Sequence, residues 1–230
     1  MIGGVYGIRR LVLASGSPRR RQLLSLVGIP FIIKAVAVDE SSLPDEAPTE
    51  MVLRVSQQKA LAANGIRADE LVVAADTIVV LDGAVLGKPN DAEDAVQMLL
   101  RLRGRSHMVY TGIAVWHPQS RKMVCELAET AVWMRDYDDG EIATYVESGD
   151  PLDKAGAYAI QHPRFDPVSR VEGCRVNVVG LPLCHLGRAL ADFGVVAPIN
   201  VPGTCRAFSQ HNCAVFTELQ SLASKAEHEQ

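Results

Sequence analysis

Aromatic side chains are scarce in this sequence: two Trp, five Tyr and five Phe among 230 residues. A core of any size must therefore come from aliphatic residues, and apolar residues make up 48% of the chain. Abundant Val, Ala and Leu with few rings suits α/β proteins whose strands are covered on both faces. No apolar run approaches the roughly 20 residues of a membrane-crossing helix. The opening MIGGVYGIRR lacks the apolar stretch of a secretory signal, so the expectation is a cytoplasmic protein with no membrane partner. Five cysteines, an odd number, argue for reduced thiols over a disulfide framework. An excess of positive charge is missing too: the formal net charge is −4. That gives no electrostatic case for nucleic acid as a partner, and local clusters of Arg and Lys then mark a site. No internal repeat or low-complexity segment interrupts the chain.

What is present centres on LVLASGSPRRRQLL, residues 11–24. Three aliphatic residues and an Ala, followed by Ser and Gly, read as a short buried strand. Ser17 then stands at an N-cap position and Pro18 at the first helical position, where its missing N–H costs nothing. Ser15, Arg19 and Arg20 fall at this strand-to-helix junction, with free backbone N–H groups and the positive end of the helix dipole. Two guanidinium charges are the wrong sign for that dipole and make sense if an anion such as phosphate neutralises them. A solvated basic helix start accounts for the same residues.

Further along, the pattern predicts a strand at 31–38, a polar loop at 41–49 and a helix at 50–64 capped by Thr49. A strand at 71–75 is expected to be interrupted by Asp76-Thr77 and to resume at 78–81. Asp82-Gly83 signals a hairpin, and Asn90 or Asp91 caps a helix to Leu102 that Gly104 ends. An antiparallel pair at 107–116 and 123–135, a helix at 138–148, strands at 168–172 and 177–179, and a helix at 183–193 complete the pattern. From Ala197 on, periodicity fades, and a partly ordered tail with a short helix near 217–226 is expected.

Polar residues break apolar strand ends at several places: residues 15–20, Glu40, Lys59, Asp76-Thr77, Lys88, and from Asp153-Lys154 to Gln161. An acid within VVAADTIVV is the most informative, because a buried carboxylate costs several kcal/mol unless it is paired or metal-bound. A structural ion pair with Lys59 or Lys88 is one account. The other is joint: acids holding a hard cation and Arg and Lys clamping a phosphate chain, which are the parts of metal-assisted phosphoanhydride hydrolysis.

The ordered runs LASGSPRR, VDE, QKA, AADTIVV with GKP, YTGIAV, YVESGDPLDKAGAYAIQ and NVVGLPL resemble the Maf family of nucleoside triphosphate pyrophosphatases over residues 11–193. The resemblance implies a mixed α/β fold: an elongated twisted sheet flanked by helices, with two lobes around a deep nucleotide cleft. It implies hydrolysis of nucleoside triphosphates between the α and β phosphates with Mg²⁺ or Mn²⁺, homodimers, and a link to arrest of septum formation. It places a general base or metal-linked carboxylate at Asp76, a metal-ligating acid at Glu40, and phosphate-binding groups at Ser15, Arg19, Arg20, Lys59 and Lys88, the last counted with Asp76 and Glu40 as catalytic. Arg19, Thr77 and Gln161 resemble the subfamily acting on dTTP, UTP and modified pyrimidine nucleotides, with Thr77 and Gln161 reading the base. A purine-preferring pyrophosphatase and a nucleotide-binding regulator without turnover are the alternatives.

Two departures stand out. HPRFDPVSR, after Gln161, replaces the glycine-rich turn usual in the family, with His162 nearest the expected pocket. The segment 197–230, an extension beyond the expected domain at 8–196, carries Cys205, His211 and Cys213. With Cys174, Cys184 and His185 these residues match no trusted zinc spacing, and unrelated thiols are expected.

Overall fold

The computed structural model describes residues 6–210 and residue 213; the helix expected at 217–226, and His211, lie outside them. The strands are β1 (Arg10–Leu13), β2 (Phe31–Ile33), β3 (Glu70–Leu81), β4 (Ala84–Leu86), β5 (Ser106–His117), β6 (Lys122–Met134) and β7 (Val168–Gly173). The helices are α1 (Pro18–Ser25), α2 (Pro48–Ala62), α3 (Ala92–Leu102), α4 (Asp139–Glu147), α5 (Arg175–Val179), α6 (Leu183–Ala191) and α7 (Val201–Ser209), with single 3-10 turns at Asp150–Asp153 and Ala155–Ala157. The strands form one mixed sheet in the order β2-β1-β3-β5-β6-β7, and β4 pairs with the far end of β3. β2, β1 and β3 run parallel; all other pairings are antiparallel.

β3 is the spine. Its first four residues pair with β1 and its last three with β4, so on that side the edge between Val73 and Val79 is open. Period-2 alternation sorts its side chains. Val72, Ala74, Asp76, Ile78 and Val80 face α2, while Val73, Ala75, Thr77, Val79 and Leu81 face the main core with α1, α3, α4, α5 and α6. One glycine sets how closely α2 lies on the sheet. Gly112 of β5 is the cross-strand partner of Asp76, and a Cβ there would run into the Val52 carbonyl of α2.

Several expectations change. Asp76-Thr77 does not interrupt the strand: both residues keep their ladder pairing, to Gly112 and Thr111, because the Asp76 charge is met by a side chain. Residues 177–179 are helical, not a strand. β2 stops at Ile33 because β1, its only partner among the described residues, has already turned into the Ser15 loop. Ala47, not Thr49, precedes α2, with Glu50 Oε2 accepting the Ala47 N–H at 3.2 Å. α7 forms where fading periodicity predicted little, burying Val201 and Cys205. Elsewhere the expected signals appear: Ser17 caps α1, Asp91 caps α3, and Asp82-Gly83 makes the hairpin with φ of 51° and 80°.

Candidate active site

The open edge of β3 forms the floor of a cleft of about 380 Å³. The β1–α1 junction follows the carboxyl end of β1 and makes one wall, the place where crevices arise in α/β sheets. The 3-10 turns, residues 158–161 and the α5 end make the other. Ser15, Arg19, Arg20, Glu40, Lys59, Asp76, Thr77, Lys88 and Gln161 all line it, whereas His162 does not and packs against Tyr145.

Lys59 reaches the floor because α2 presents Val52, Val55 and Lys59 on one face, two helical turns end to end. Its Nζ lies 2.7 Å from Asp76 Oδ1 and 2.7 Å from Glu40 Oε1. Asp76 is buried and Glu40 half exposed. Burial works against the Glu40 charge, but Lys59, with Lys88 and Arg20 behind it, holds the carboxyl below the ordinary glutamate range.

On the opposite wall Arg20 is fixed from three directions. Nε donates to Gly180 O at 2.9 Å, Nη2 to Thr77 Oγ1 at 3.1 Å, and Nη1 makes a long contact of 3.5 Å to Ser15 Oγ. Burial pushes its pKa down against the pull of Asp76 and Glu40, yet a guanidinium remains cationic. Ser15 Oγ also accepts the Ser17 N–H at 3.2 Å. Arg19 crosses the mouth, with Nη1 3.1 Å from Asp153 Oδ2 and Nη2 3.3 Å from Asp153 O. Lys88 and Gln161 are exposed, and among the described residues neither side chain makes a hydrogen bond or ion pair.

Three further lining or supporting residues had no individual assignment, although Lys154 falls among the polar residues that break apolar strand ends. Lys154 is buried and pairs with Asp153 at 2.7 Å and Asp150 at 3.0 Å. Tyr158 shares a 2.8 Å hydrogen bond with His107 Nε2, whose pKa burial lowers to about 4. Thr111 stands behind Thr77. Of these, Lys154 stands out as a charge in an apolar-flanked run, while Thr111 and Tyr158 lie within the runs YTGIAV and YVESGDPLDKAGAYAIQ without an anomaly of their own.

A divalent cation fits this donor set in a limited way. Asp76 Oδ2 and Glu40 Oε2 have no hydrogen-bond partner among the described residues, and two carboxylates are what a magnesium-type site takes when phosphates and waters complete it. Among the described residues no group of three or more His, Cys, Asp or Glu is arranged to hold a metal alone. With Lys59 already between the two acids, the arrangement favours a cation that arrives with a polyanion. Lys59, Lys88, Lys154, Arg19 and Arg20 against Glu40, Asp76 and Asp153 leave the lining net positive.

A mixed sheet opened beside a central strand, with an acid–lysine–acid bridge facing fixed guanidinium groups, defines an α/β protein whose net positive cleft suits a polyanion. The sequence matches the family described as "Maf-like protein" over residues 10–193. A dTTP/UTP pyrophosphatase of Pelotomaculum thermopropionicum is 46% identical over 187 residues, 81% of this chain and 98% of its own. One from Anaeromyxobacter is 48% identical over 197 residues, covering 84% and 94%, and one from Methanosarcina mazei 43% over 189 residues, covering 82% and 96%. The chain belongs to the Maf family.

Proposed function

We propose that this protein is a nucleoside triphosphate pyrophosphatase acting on dTTP, UTP and modified pyrimidine nucleotides, releasing the nucleoside monophosphate and pyrophosphate. The observation that carries the reading is the Lys59 bridge, which holds Asp76 and Glu40 together on the floor of a cationic cleft. The names of the relatives support the choice of bases.

In this reading Arg19, Arg20 and Lys88 bind the phosphate chain, and Ser15 and the start of α1 add hydroxyl and N–H donors. Asp76 receives a proton from the attacking water, whose oxygen bonds to the α phosphorus as the bridge to the β phosphate breaks. Pyrophosphate leaves toward the cations, which stabilise its charge. Asp76 and Glu40 would hold Mg²⁺ or Mn²⁺, which supplies charge neutralisation at the phosphates when bound. Gln161, exposed at the rim, has its amide free to read a pyrimidine edge, whereas the hydroxyl of Thr77, also expected to read the base, is engaged by Arg20 and Thr111.

The test is pyrophosphate release from dTTP, UTP, CTP, GTP, ITP and 7-methyl-GTP with Mg²⁺ or Mn²⁺, for the wild type and Asp76→Asn. Preference for dTTP and UTP is expected, with a 10²–10⁴-fold loss in kcat for the variant, about what a positioned acid–base group supplies. Preference for ITP would overturn the base assignment, binding without turnover would favour a regulator, and unchanged turnover in Asp76→Asn would overturn the role of that acid.

A further inference from the structure

Thr77 and Thr111 are cross-strand partners on β3 and β5, and their hydroxyl oxygens lie 2.9 Å apart. Thr111 is fully buried, and its hydroxyl donates to the backbone carbonyl of Asn177 at 3.4 Å. On the other side Arg20 Nη2 donates to Thr77 Oγ1 at 3.1 Å. Each hydroxyl owns one proton, so the directions follow. The Thr111 proton goes to Asn177, the Thr77 proton goes to Thr111, and Thr77 is left to accept from the guanidinium.

The far end of this relay is anchored. Asn177 Nδ2 donates to Val109 O at 3.1 Å, Ala128 O at 3.3 Å and Thr130 Oγ1 at 3.0 Å. Arg20 also donates Nε to Gly180 O, at the close of the same short helix, α5. Without the Thr111 oxygen, the Thr77 hydroxyl is free to rotate, and a proton turned toward Arg20 opposes another donor. We propose that Thr111 is a positioning residue, which orients the Thr77 hydroxyl as an acceptor and so holds Arg20 in place for the phosphate chain. This rests on reading the cleft as a triphosphate site.

The experiment compares Thr111→Val, which keeps shape and removes the hydroxyl, with Thr111→Ser, which keeps the hydroxyl. Expected is an about tenfold fall in kcat/KM for T111V, the loss of one hydrogen bond to a charged chain. That fall should be equal for dTTP, UTP and CTP, because Arg20 meets phosphate and not base. T111S should remain within about twofold of wild type, and in an Arg20→Lys background T111V should add no further loss. Wild-type kinetics in T111V, a loss that depends on the base, or a full loss persisting in Arg20→Lys would each overturn the proposal. Thr111→Ala replaces T111V if that variant does not fold. Binding of inorganic pyrophosphate, measured by calorimetry, separates the two readings. A wild type that binds it without hydrolysing triphosphates fails as a pyrophosphatase, and its affinity relative to T111V, expected about tenfold tighter, still decides Thr111. A wild type that binds no pyrophosphate overturns both.

Discussion

Replacing Lys59 with methionine keeps the length and shape of a buried side chain and removes the charge that bridges the two acids. Lys59 is 6% exposed and lies 2.7 Å from each carboxylate. At an effective dielectric of about 20, a unit pair 4 Å apart is worth about 4 kcal/mol before desolvation is counted. Removing one partner of a buried pair costs about 3–5 kcal/mol in stability. Glu40 is half exposed, so water replaces most of its share and the loss falls mainly on Asp76. The expected cost is therefore near the lower end, about 3 kcal/mol, or about 6–12 °C in Tm for a domain of this size. The variant also removes the competitor for the carboxylate oxygens. Millimolar Mn²⁺ should then raise the Tm of Lys59→Met by several degrees more than that of the wild type, since a ligand that binds only the folded state stabilises it. Scanning calorimetry at pH 7, with and without Mn²⁺, reads both effects. An unchanged Tm for the variant would refute the energetic role of the bridge, and an equal Mn²⁺ shift for both proteins would refute the carboxylates as cation ligands.

Gly112→Ala drives a methyl group into the Val52 carbonyl and to within 2.9 Å of the Leu53 nitrogen. Overpacking of this kind costs about 1–3 kcal/mol or more, and because α2 carries Lys59, kcat should fall along with Tm; a variant as stable and active as wild type would show that α2 does not set the floor geometry. His107 is held neutral by burial with a pKa of about 4, below the ~6.5 of an unfolded histidine. The unfolded chain therefore takes up the proton first, and stability present above pH 6.5 declines as pH falls toward 4, by about 3 kcal/mol in all. His107→Gln should flatten the drop in Tm between pH 7 and pH 4.5, and an identical drop in both proteins would count against this assignment.

The architecture was legible wherever local chemistry decides it. The Ser17-Pro18 start of α1, the Asp82-Gly83 hairpin and the Asp91 cap are read from neighbours in sequence. Asp76 was legible as an anomaly: the ion pair with Lys59 exists, and it lies in the cleft. Its effect on the strand was misread, since a side chain's polarity does not prevent the backbone from joining a ladder. Asn177 shows the opposite limit. Val176, Val178 and Val179 favour a strand, but the segment lies between Gly173 at φ 117° and Gly180 at φ 120°, and the Asn177 amide satisfies two backbone carbonyls of β5 and β6 as part of one helical turn. Thr111 lies in the run YTGIAV but drew no role of its own, because a threonine in an apolar strand is ordinary until its partner across the ladder is known.

The wiring of β3 also bears on the order of folding. β5 and β6 form a hairpin whose strands are separated by four residues, while β1 meets β3 across sixty and Arg20 meets Gly180 across 160. Loop-closure entropy delays contacts of long separation relative to local ones. The hairpin is thus expected to form early and the cleft to close last, when the end of α5 returns to the first helix. A nascent chain has the cationic residues of the cleft through Lys88 long before it has the wall that holds Arg20. During synthesis the cleft lacks this wall until residue 180 has emerged, so the proposed hydrolysis is expected of the finished fold and of no fragment that ends before α5.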